Sequence, residues 1–357
     1  MKYSVMALLL ALTMCLVCGC ILSDEDIKVP YMTFQPEAIG DGWALSTPEQ
    51  EGFRNSAIDS VYRRFYSENH YPTIHSLLIV RNGKLVAEGY CRNENERKMF
   101  HHLQSATKSI TSLLIGIALD KGYIESVDQT IYEFLPEYFG NDTEKREITI
   151  HHVLTMETGL DFDNDSQTLK LYNSKGSSLD FVLRRGLLFS PGTDWYYGDG
   201  NPQLISGIIT KTTGMTEEVF ARKYLFEPLN ITDYQWEKHS DGLTFGAFGL
   251  WLRPRDIAKI GKMLIQDGMW ESKQIISAAW IRESTRLQSS HQNYGYYWYP
   301  MDDNISFYAE GHGGNLLYVV PNKQLAVVIT ADPHSNVREL SSNFHELFLG
   351  ILGAIEN

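Results

Sequence analysis

The spacing of hydrophobic residues changes along the chain and predicts different elements in different segments. Residues 51–68 repeat apolar side chains at helical spacing, which predicts a helix. Residues 75–91 hold two apolar runs around Asn82-Gly83, and Asn-Gly between such runs is a strong signal for a β-hairpin. Residues 110–118 place apolar side chains at i, i+3, i+4, i+7 and i+8, the stripe of an apolar helix, and Gly122 follows as its expected end.

Strand patterns occur near both ends of the chain, with helical patterns between them. From about residue 125 to 290 the chain is mainly helical and rich in loops, and short strand-like runs begin at residue 294. Residues 339–355 end with a further predicted helix. We therefore expect an α+β fold in which one antiparallel sheet is built from both chain ends, flanked by helices, and carries a mainly helical inserted region.

Composition and charge narrow the class of protein. The 357 residues are 43% hydrophobic and 21% charged, as in a globular protein. The formal net charge of -13 would repel phosphate backbones, so we expect no nucleic-acid partner.

The first 20 residues, "MKYSVMALLLALTMCLVCGC", have the basic start and apolar run of a signal peptide. Their end resembles a bacterial lipobox, with cleavage before Cys20 and a lipid on its thiol. The alternatives to a lipoprotein signal peptide are an ordinary signal peptide and a retained N-terminal anchor. We predict a lipoprotein signal peptide at residues 1–19, a lipidated N-terminus and tether at 20–50, and a single domain at 51–357. The predicted location is the bacterial cell envelope, lipid-anchored on its periplasmic or cell-surface side.

The motif "SATK", just ahead of this apolar helix, is the first candidate for chemistry. Ser105 and Lys108 are three residues apart, so in a helix they lie on one face. Ser105 would also lie at the positive end of the helix dipole, and the apolar run beyond would bury the lysine. The alternative is a helix-capping serine with a solvated lysine. Ser105 is the only serine in the chain with a lysine three residues later.

Two further segments carry candidate residues. The turn in "SPGTDWYYGDGNPQLISGII", residues 190–209, holds two tyrosines whose phenols could share a proton with Lys108. In "EGHGGNLLYVV", residues 310–320, His312 and a pair of glycines open a strand and would let a substrate lie close to the backbone. The alternatives are tyrosines packed on a loop and a simple turn between strands.

Together and in this order, the three segments resemble the serine beta-lactamase and penicillin-binding-protein superfamily, and most of all its class C-like hydrolases. That branch includes carboxylesterases, D-aminoacyl peptidases and 6-aminohexanoate-dimer hydrolases. The resemblance extends from about residue 50 to 350 and implies a beta-lactamase/transpeptidase-like fold. It also covers phrases outside the three segments, such as "ITIHHVLTMETGLDF".

The resemblance implies a role for each matching residue. Ser105 matches the nucleophile and Lys108 its partner. Tyr197 matches the tyrosine of the family's Tyr-x-Asn motif, with Tyr196 as the alternative. The substrate-binding residues implied by the match are His312, Gly313, Gly314, Asn315 and Asp199, and the backbone N–H groups of Ser105 and Asn315 match the oxyanion hole.

The chain departs from the family pattern at two places. Asp199 replaces the asparagine of Tyr-x-Asn, so an anionic acceptor stands where an amide donor is usual. Asn201 taking over that role, Asp199 binding Lys108 and Asp199 binding a substrate amine are the open alternatives. His312 and Gly313 replace the lysine and threonine of the Lys-Thr-Gly strand motif, which removes a permanent cation and a hydroxyl.

We expect a serine hydrolase that cleaves an ester or amide of a small-molecule or short-peptide acyl substrate, through an acyl-enzyme on Ser105. A D,D-peptidase or beta-lactamase is the alternative among enzymes, and a non-catalytic penicillin-recognising envelope module is the alternative outside them. No G-x-S-x-G motif occurs, which disfavours another hydrolase fold. We expect no cofactor and no metal site, because His101-His102 and His151-His152 are adjacent pairs rather than i, i+4 ligand pairs.

Overall fold

The structure is a computed structural model, and it describes residues 28–67, 71, 73–332 and 337–356. The predicted signal peptide and Cys20 therefore lie outside the described residues. The strands are β1 (Ile74–Arg81), β2 (Lys84–Tyr90), β3 (His101–His102), β4 (Gln235–Trp236), β5 (Leu250–Leu252), β6 (Met269–Trp270), β7 (Lys273–Gln274), β8 (Tyr299–Pro300), β9 (Phe307–Gly311), β10 (Asn315–Val320) and β11 (Leu325–Ala331). The α-helices are α1 (Asn55–Phe65), α2 (Thr107–Asp120), α3 (Ile131–Phe134), α4 (Ile150–Thr155), α5 (Asn164–Asn173), α6 (Ser178–Leu183), α7 (Gly200–Thr213), α8 (Glu217–Ala221), α9 (Pro254–Ile265), α10 (Ala278–Thr285) and α11 (Val337–Gly353).

The main sheet is built from both chain ends, in the strand order β2-β1-β11-β10-β9-β8. Its pairings are antiparallel, and β1 from the start of the domain pairs with β11 near its end, with Leu78 opposite Val328. The predicted hairpin at Asn82-Gly83 joins β1 to β2. The expected α+β arrangement, with the mainly helical region between β2 and β9, is confirmed.

Helices cover both faces of this sheet because side chains of a strand point alternately to either side. Leu77 and Ile79 of β1 belong to one core cluster, with Phe348 of α11. Leu78 of β1 belongs to the other cluster, with Ile257 of α9 and the apolar side chains of α2. The sheet is thus the central layer between two core clusters, and the helical region extends from one of its faces.

Helix α2 forms where it was predicted, and it is buried on more sides than the apolar stripe alone indicates. All residues from Thr107 to Ala118 are buried, including the polar ones. Two of its hydroxyls have hydrogen-bond partners inside the molecule: Ser109 Oγ donates to Tyr297 O over 2.6 Å, and Thr111 Oγ1 contacts Glu217. Polar side chains with internal partners of this kind can be buried together with the apolar stripe.

Two other segments differ from the sequence-based expectations. Residues 28–50, assigned to the tether, contact the domain: Phe34 is buried and Arg255 of α9 bonds to Asp41 and to the carbonyl of Glu37. Residues 294–300, expected as a strand, form only the two-residue β8, because Tyr297 takes a positive φ of 63°. None of the helices in the described part of the chain combines the length and apolar character that a membrane span requires.

Candidate active site

Ser105 lies on a short 3₁₀ turn, Gln104–Ala106, that leads directly into α2. The strand before it, β3, pairs with β5, and Leu103 N–H donates to Leu250 O over 2.9 Å. Gln104 has a φ of 51°, a left-handed conformation that is uncommon for a residue with a side chain. This bend turns the half-buried Ser105 side chain toward α7 and the loop before it, and strained backbone of this kind is frequent at functional sites.

The Lys108 side chain lies in the first turn of α2 and is only 1% exposed. Its Nζ is 3.0 Å from Ser105 Oγ, 3.1 Å from Ala247 O and 2.7 Å from Asp199 Oδ1. The structure therefore brings the predicted pair together and excludes the solvated-lysine alternative. Ala247 was not identified from the sequence, because a backbone carbonyl leaves no residue-type signal.

Asp199 lies at the start of α7, is 7% exposed and forms the ion pair with Lys108. Helix α5 holds it at two points: Thr168 Oγ1 donates to Asp199 Oδ2 over 2.7 Å, and the Asp199 N–H donates to Asn164 Oδ1 over 2.8 Å. Of the three alternatives for Asp199, the one in which it binds Lys108 is found. Asn201 is engaged elsewhere, since its Oδ1 accepts a hydrogen bond from Thr158 Oγ1.

Tyr197 places its ring under the lysine, with Lys108 Nζ 4.9 Å from the ring centroid. Burial raises the pKa of Tyr197 well above its usual range, and the nearby Asp199 carboxylate adds to this, while a hydrogen bond from Ser105 opposes it. The phenol is therefore neutral at pH 7. Tyr196 lies apart from the lysine, in the field of Asp161, Asp163 and Asp165.

The segment after β9 lies beside the Ser105 turn. Gly311 makes this approach possible, since a Cβ there would lie 2.0 Å from Leu103 O. Gly314 has a φ of 92° and leaves room for Phe344, whose Cε2 would be 2.0 Å from an added Cβ. Gly313 also has a positive φ, 88°. Backbone conformation thus explains the glycine at 313, and backbone conformation and packing together explain the glycine at 314.

His312 and Asn315 have different surroundings within that segment. The His312 side chain is exposed, whereas Asn315 is 1% exposed. Asn315 Nδ2 donates to His312 O over 3.2 Å, and Asn315 Oδ1 accepts from Ala331 N over 3.2 Å. The asparagine side chain therefore holds the turn against β11, which leaves only its backbone for the predicted oxyanion role.

A buried carboxyl group, Glu217 of α8, was not identified from the sequence. It contacts Thr111, which lies one helical turn after Lys108 in α2. Thr111 Oγ1 lies 2.6 Å from Glu217 Oε1 and 2.8 Å from Gly246 O, the residue before Ala247. Burial raises the pKa of Glu217 to about 7. Nothing in its sequence context distinguishes Glu217 from an exposed helix-start glutamate.

The geometry assembles a half-buried hydroxyl, a buried ammonium group, a carboxylate and a neutral phenol. Such a set can activate a serine for attack on a carbonyl carbon and can move its proton. Among the described residues, no group of three or more His, Cys, Asp or Glu side chains is arranged to hold a metal ion.

Comparison with known proteins adds a family and a fold. The model of the Beta-lactamase family matches residues 59–346. A 6-aminohexanoate-dimer hydrolase of Paenarthrobacter ureafaciens is 23% identical over 223 residues, which cover 58% of this chain and 55% of that protein. This chain thus spans about half the length of that hydrolase.

Two solved structures share the fold over most of their length. A class C beta-lactamase has a TM-score of 0.66 at 16% identity and covers 85% of this chain and 96% of its own. A family VIII carboxylesterase has a TM-score of 0.66 at 14% identity and covers 84% of this chain and 97% of its own. The expected beta-lactamase/transpeptidase-like fold is confirmed by these similarities.

Proposed function

Because the chain belongs to the Beta-lactamase family, we propose that it is a serine hydrolase that cleaves an ester or amide bond through an acyl-enzyme on Ser105. The observation that carries the proposal is the 3.0 Å hydrogen bond between Lys108 Nζ and Ser105 Oγ inside a buried site. A nucleophilic serine requires such a neighbouring group to move its proton. A module that only binds its ligand has no need of this pair.

In the proposed reaction, Ser105 Oγ attacks the carbonyl carbon and its proton passes to the Lys108–Tyr197 set. The carbonyl oxygen becomes an oxyanion between the N–H groups of Ser105 and Asn315, where fixed donors lower the barrier. The leaving group takes a proton from the same set and departs. Water then attacks the acyl carbon and releases the acid, which restores Ser105.

The substrate class we propose is a small or short-peptide acyl compound without a carboxylate beside the scissile bond. The names of the relatives support ester and amide chemistry, since they include a 6-aminohexanoate-dimer hydrolase and a carboxylesterase. The exposed His312 stands where the family's lysine would meet such a carboxylate. Charged hydrogen bonds of that kind are worth about 1.5–3 kcal/mol, so their absence weakens carboxylate recognition.

We also propose that the protein is anchored to a bacterial envelope membrane by a lipid on Cys20. The support is the sequence of residues 1–20 alone, with its basic start, apolar run and small residues before the cysteine.

A fluorophosphonate probe, which reacts with activated serines, tests the nucleophile. We expect the wild type to be labelled once and Ser105→Ala to lose both labelling and ester hydrolysis, since loss of a nucleophile from a cooperating set costs about 10⁶-fold in rate. Ser112→Ala is the matched control, because Ser112 is buried in the same helix and its hydroxyl has no hydrogen-bond partner in the described structure. Undiminished labelling of Ser105→Ala would overturn the proposal.

A further inference from the structure

Lys108, as it stands, has no lone pair to offer Ser105. An ammonium group carries three N–H donors and no acceptor. Its three near neighbours, Ser105 Oγ, Ala247 O and Asp199 Oδ1, are all oxygens within 3.1 Å. The short contact to a buried carboxylate stabilises the charged lysine. A base for Ser105 therefore requires that one of these protons first leaves Lys108.

Tyr197 does not fill that role. Its ring lies under Lys108, but it is a neutral phenol, because burial and the Asp199 carboxylate both raise the pKa of Tyr197. A neutral phenol is a proton donor or a weak acceptor rather than a base. The group that has a vacant acceptor next to Lys108 is Asp199.

The two oxygens of Asp199 have different surroundings. Oδ2 accepts a hydrogen bond from Thr168 Oγ1, whereas Oδ1 is buried, lies 2.7 Å from Lys108 Nζ in an ion pair, and has no hydrogen-bond partner in the described structure. Oδ1 thus keeps a vacant acceptor position 2.7 Å from Lys108 Nζ. The asparagine of the family's Tyr-x-Asn motif offers only a neutral amide at this position, so the step is specific to chains that carry an acid there.

We propose that Asp199 accepts a proton from Lys108 and so makes Lys108 the base for Ser105, an inference that rests on the proposed serine-hydrolase function. Asp199 does not touch the substrate in this scheme and acts only through Lys108. A buried site favours the neutral pair over the ion pair more than water does, because both charges lose solvation there.

The protons balance over one cycle. A Lys108 N–H proton moves to Asp199 Oδ1, and rotation about the Cε–Nζ bond turns the new lone pair toward Ser105 Oγ. Ser105 Oγ then bonds to the carbonyl carbon as its proton moves to Lys108 Nζ and the carbonyl π electrons move to oxygen. When the tetrahedral intermediate collapses, the leaving group takes a proton from the Tyr197 hydroxyl, Lys108 gives Tyr197 a proton in its place, and Asp199 returns its proton to Lys108. Hydrolysis of the acyl-enzyme repeats these transfers with water in place of Ser105.

The titratable groups around the pair come from several elements. Tyr197 precedes α7, Tyr294 and Tyr299 face the pair from the segment at β8, and Glu310 faces Tyr197 and Tyr299 from β9. Burial raises the pKa of each of these three tyrosines and of Glu310. Glu310 is a second carboxyl group beside Tyr197 and Tyr299, and it therefore needs its own variant.

The test follows the rate of fluorophosphonate labelling at Ser105, and kcat/KM for a p-nitrophenyl butyrate-type ester, from about pH 5 to about pH 10. In Asp199→Asn, Lys108 must lose its proton to solvent. We therefore expect both rates at about pH 7 to fall by about 10²-fold, the lower end of a general-base contribution. Their acid limb should move to higher pH, with recovery at the alkaline end. Glu310→Gln should leave the acid limb where it is in the wild type.

The opposite result has a clear meaning. If Asp199 only holds Lys108 as an ammonium ion, its removal frees the amine, and labelling at about pH 7 rises or the acid limb moves to lower pH. That outcome would overturn the inference, and so would an unchanged pH–rate profile of Asp199→Asn. A shift of the acid limb in Glu310→Gln rather than in Asp199→Asn would also overturn it. A wild type without labelling would instead overturn the proposed function, so the two failures are distinguishable.

Thr168→Val provides a second variant if Asp199→Asn does not fold. It removes the donor to Asp199 Oδ2 and keeps the acceptor, which makes the carboxylate more basic. We expect the acid limb to move up by as much as about one pH unit, the equivalent of one hydrogen bond, with the plateau rate retained. A limb that moves down would contradict the proton transfer to Asp199.

Discussion

At the scale of single residues, Tyr196 and Tyr197 are neighbours in sequence with different surroundings. Tyr197 lies under Lys108, and Tyr196 lies near three aspartates. We predict that Tyr197→Phe lowers kcat/KM for an activated ester by about 10²–10⁴-fold, the usual size of an acid–base contribution. Tyr196→Phe is the matched control and should stay within a few-fold of the wild type. The reverse order of the two variants would show that the motif is displaced by one residue.

His312 is a residue-scale determinant of substrate choice. Its side chain is exposed, and it follows Gly311, which packs closely against Leu103 beside the Ser105 turn. A longer cation therefore fits at position 312 without repacking the core. We predict that the wild type turns over a p-nitrophenyl butyrate-type ester better than nitrocefin, which bears a carboxylate. His312→Lys should raise kcat/KM for nitrocefin by tens- to hundredfold, because a charged hydrogen bond is worth about 1.5–3 kcal/mol. A wild type that prefers nitrocefin would favour the beta-lactamase alternative.

At the scale of elements, α2 and α8 together hold the loop that carries Ala247. Thr111 Oγ1 is within hydrogen-bond distance of both Glu217 Oε1 and Gly246 O, yet a hydroxyl has one proton. Both contacts are satisfied when Glu217 is protonated and donates to Thr111, which then donates to Gly246 O. Neutral Glu217 thus holds the loop in which the carbonyl of Ala247 accepts a hydrogen bond from Lys108 Nζ.

This arrangement predicts a pH-dependent stability. The fold raises the pKa of Glu217 from 4.5 to about 7. The neutral acid therefore stabilises the fold fully below about pH 4.5, and this contribution is lost as pH rises through about 7. The loss corresponds to about 3 kcal/mol. We expect urea unfolding to show the wild type losing this free energy relative to Glu217→Gln between about pH 4.5 and pH 8. Parallel curves for the two proteins would contradict it.

At the scale of the whole molecule, the domain and its attachment are separate questions. We predict that the wild type partitions into the detergent phase and takes up labelled fatty acid. Cys20→Ala should take up none and accumulate as a precursor, because its thiol is the acceptor. Cys91→Ala is the control: Cys91 is the free cysteine of the described residues and is buried against Ile74 O, far along the chain from the N-terminus. A wild type that is secreted free, starting at a residue other than 20, would refute the anchor.

The sequence by itself determined the features that depend on near neighbours. The Asn82-Gly83 hairpin, the start of α2 and the Ser105–Lys108 contact all follow from spacings of a few residues, where backbone geometry leaves little choice. The family was also identified from the sequence, because its three short segments occur in the right order. The α+β sheet built from both ends required only the order of strand and helix patterns.

The tertiary structure decided what depends on contacts between distant segments. Asp199 was left among three alternatives, and its contact with Lys108 arises because α7 packs against α2. Glu217, Thr168 and the Ala247 carbonyl were missed, since each has an ordinary sequence context and acquires its role through packing. The burial of α2 on every side was likewise invisible, because polar side chains with internal partners look the same in sequence as solvated ones. Periodicity reports which residues share one face of an element, whereas the chemistry of this site depends on which faces meet.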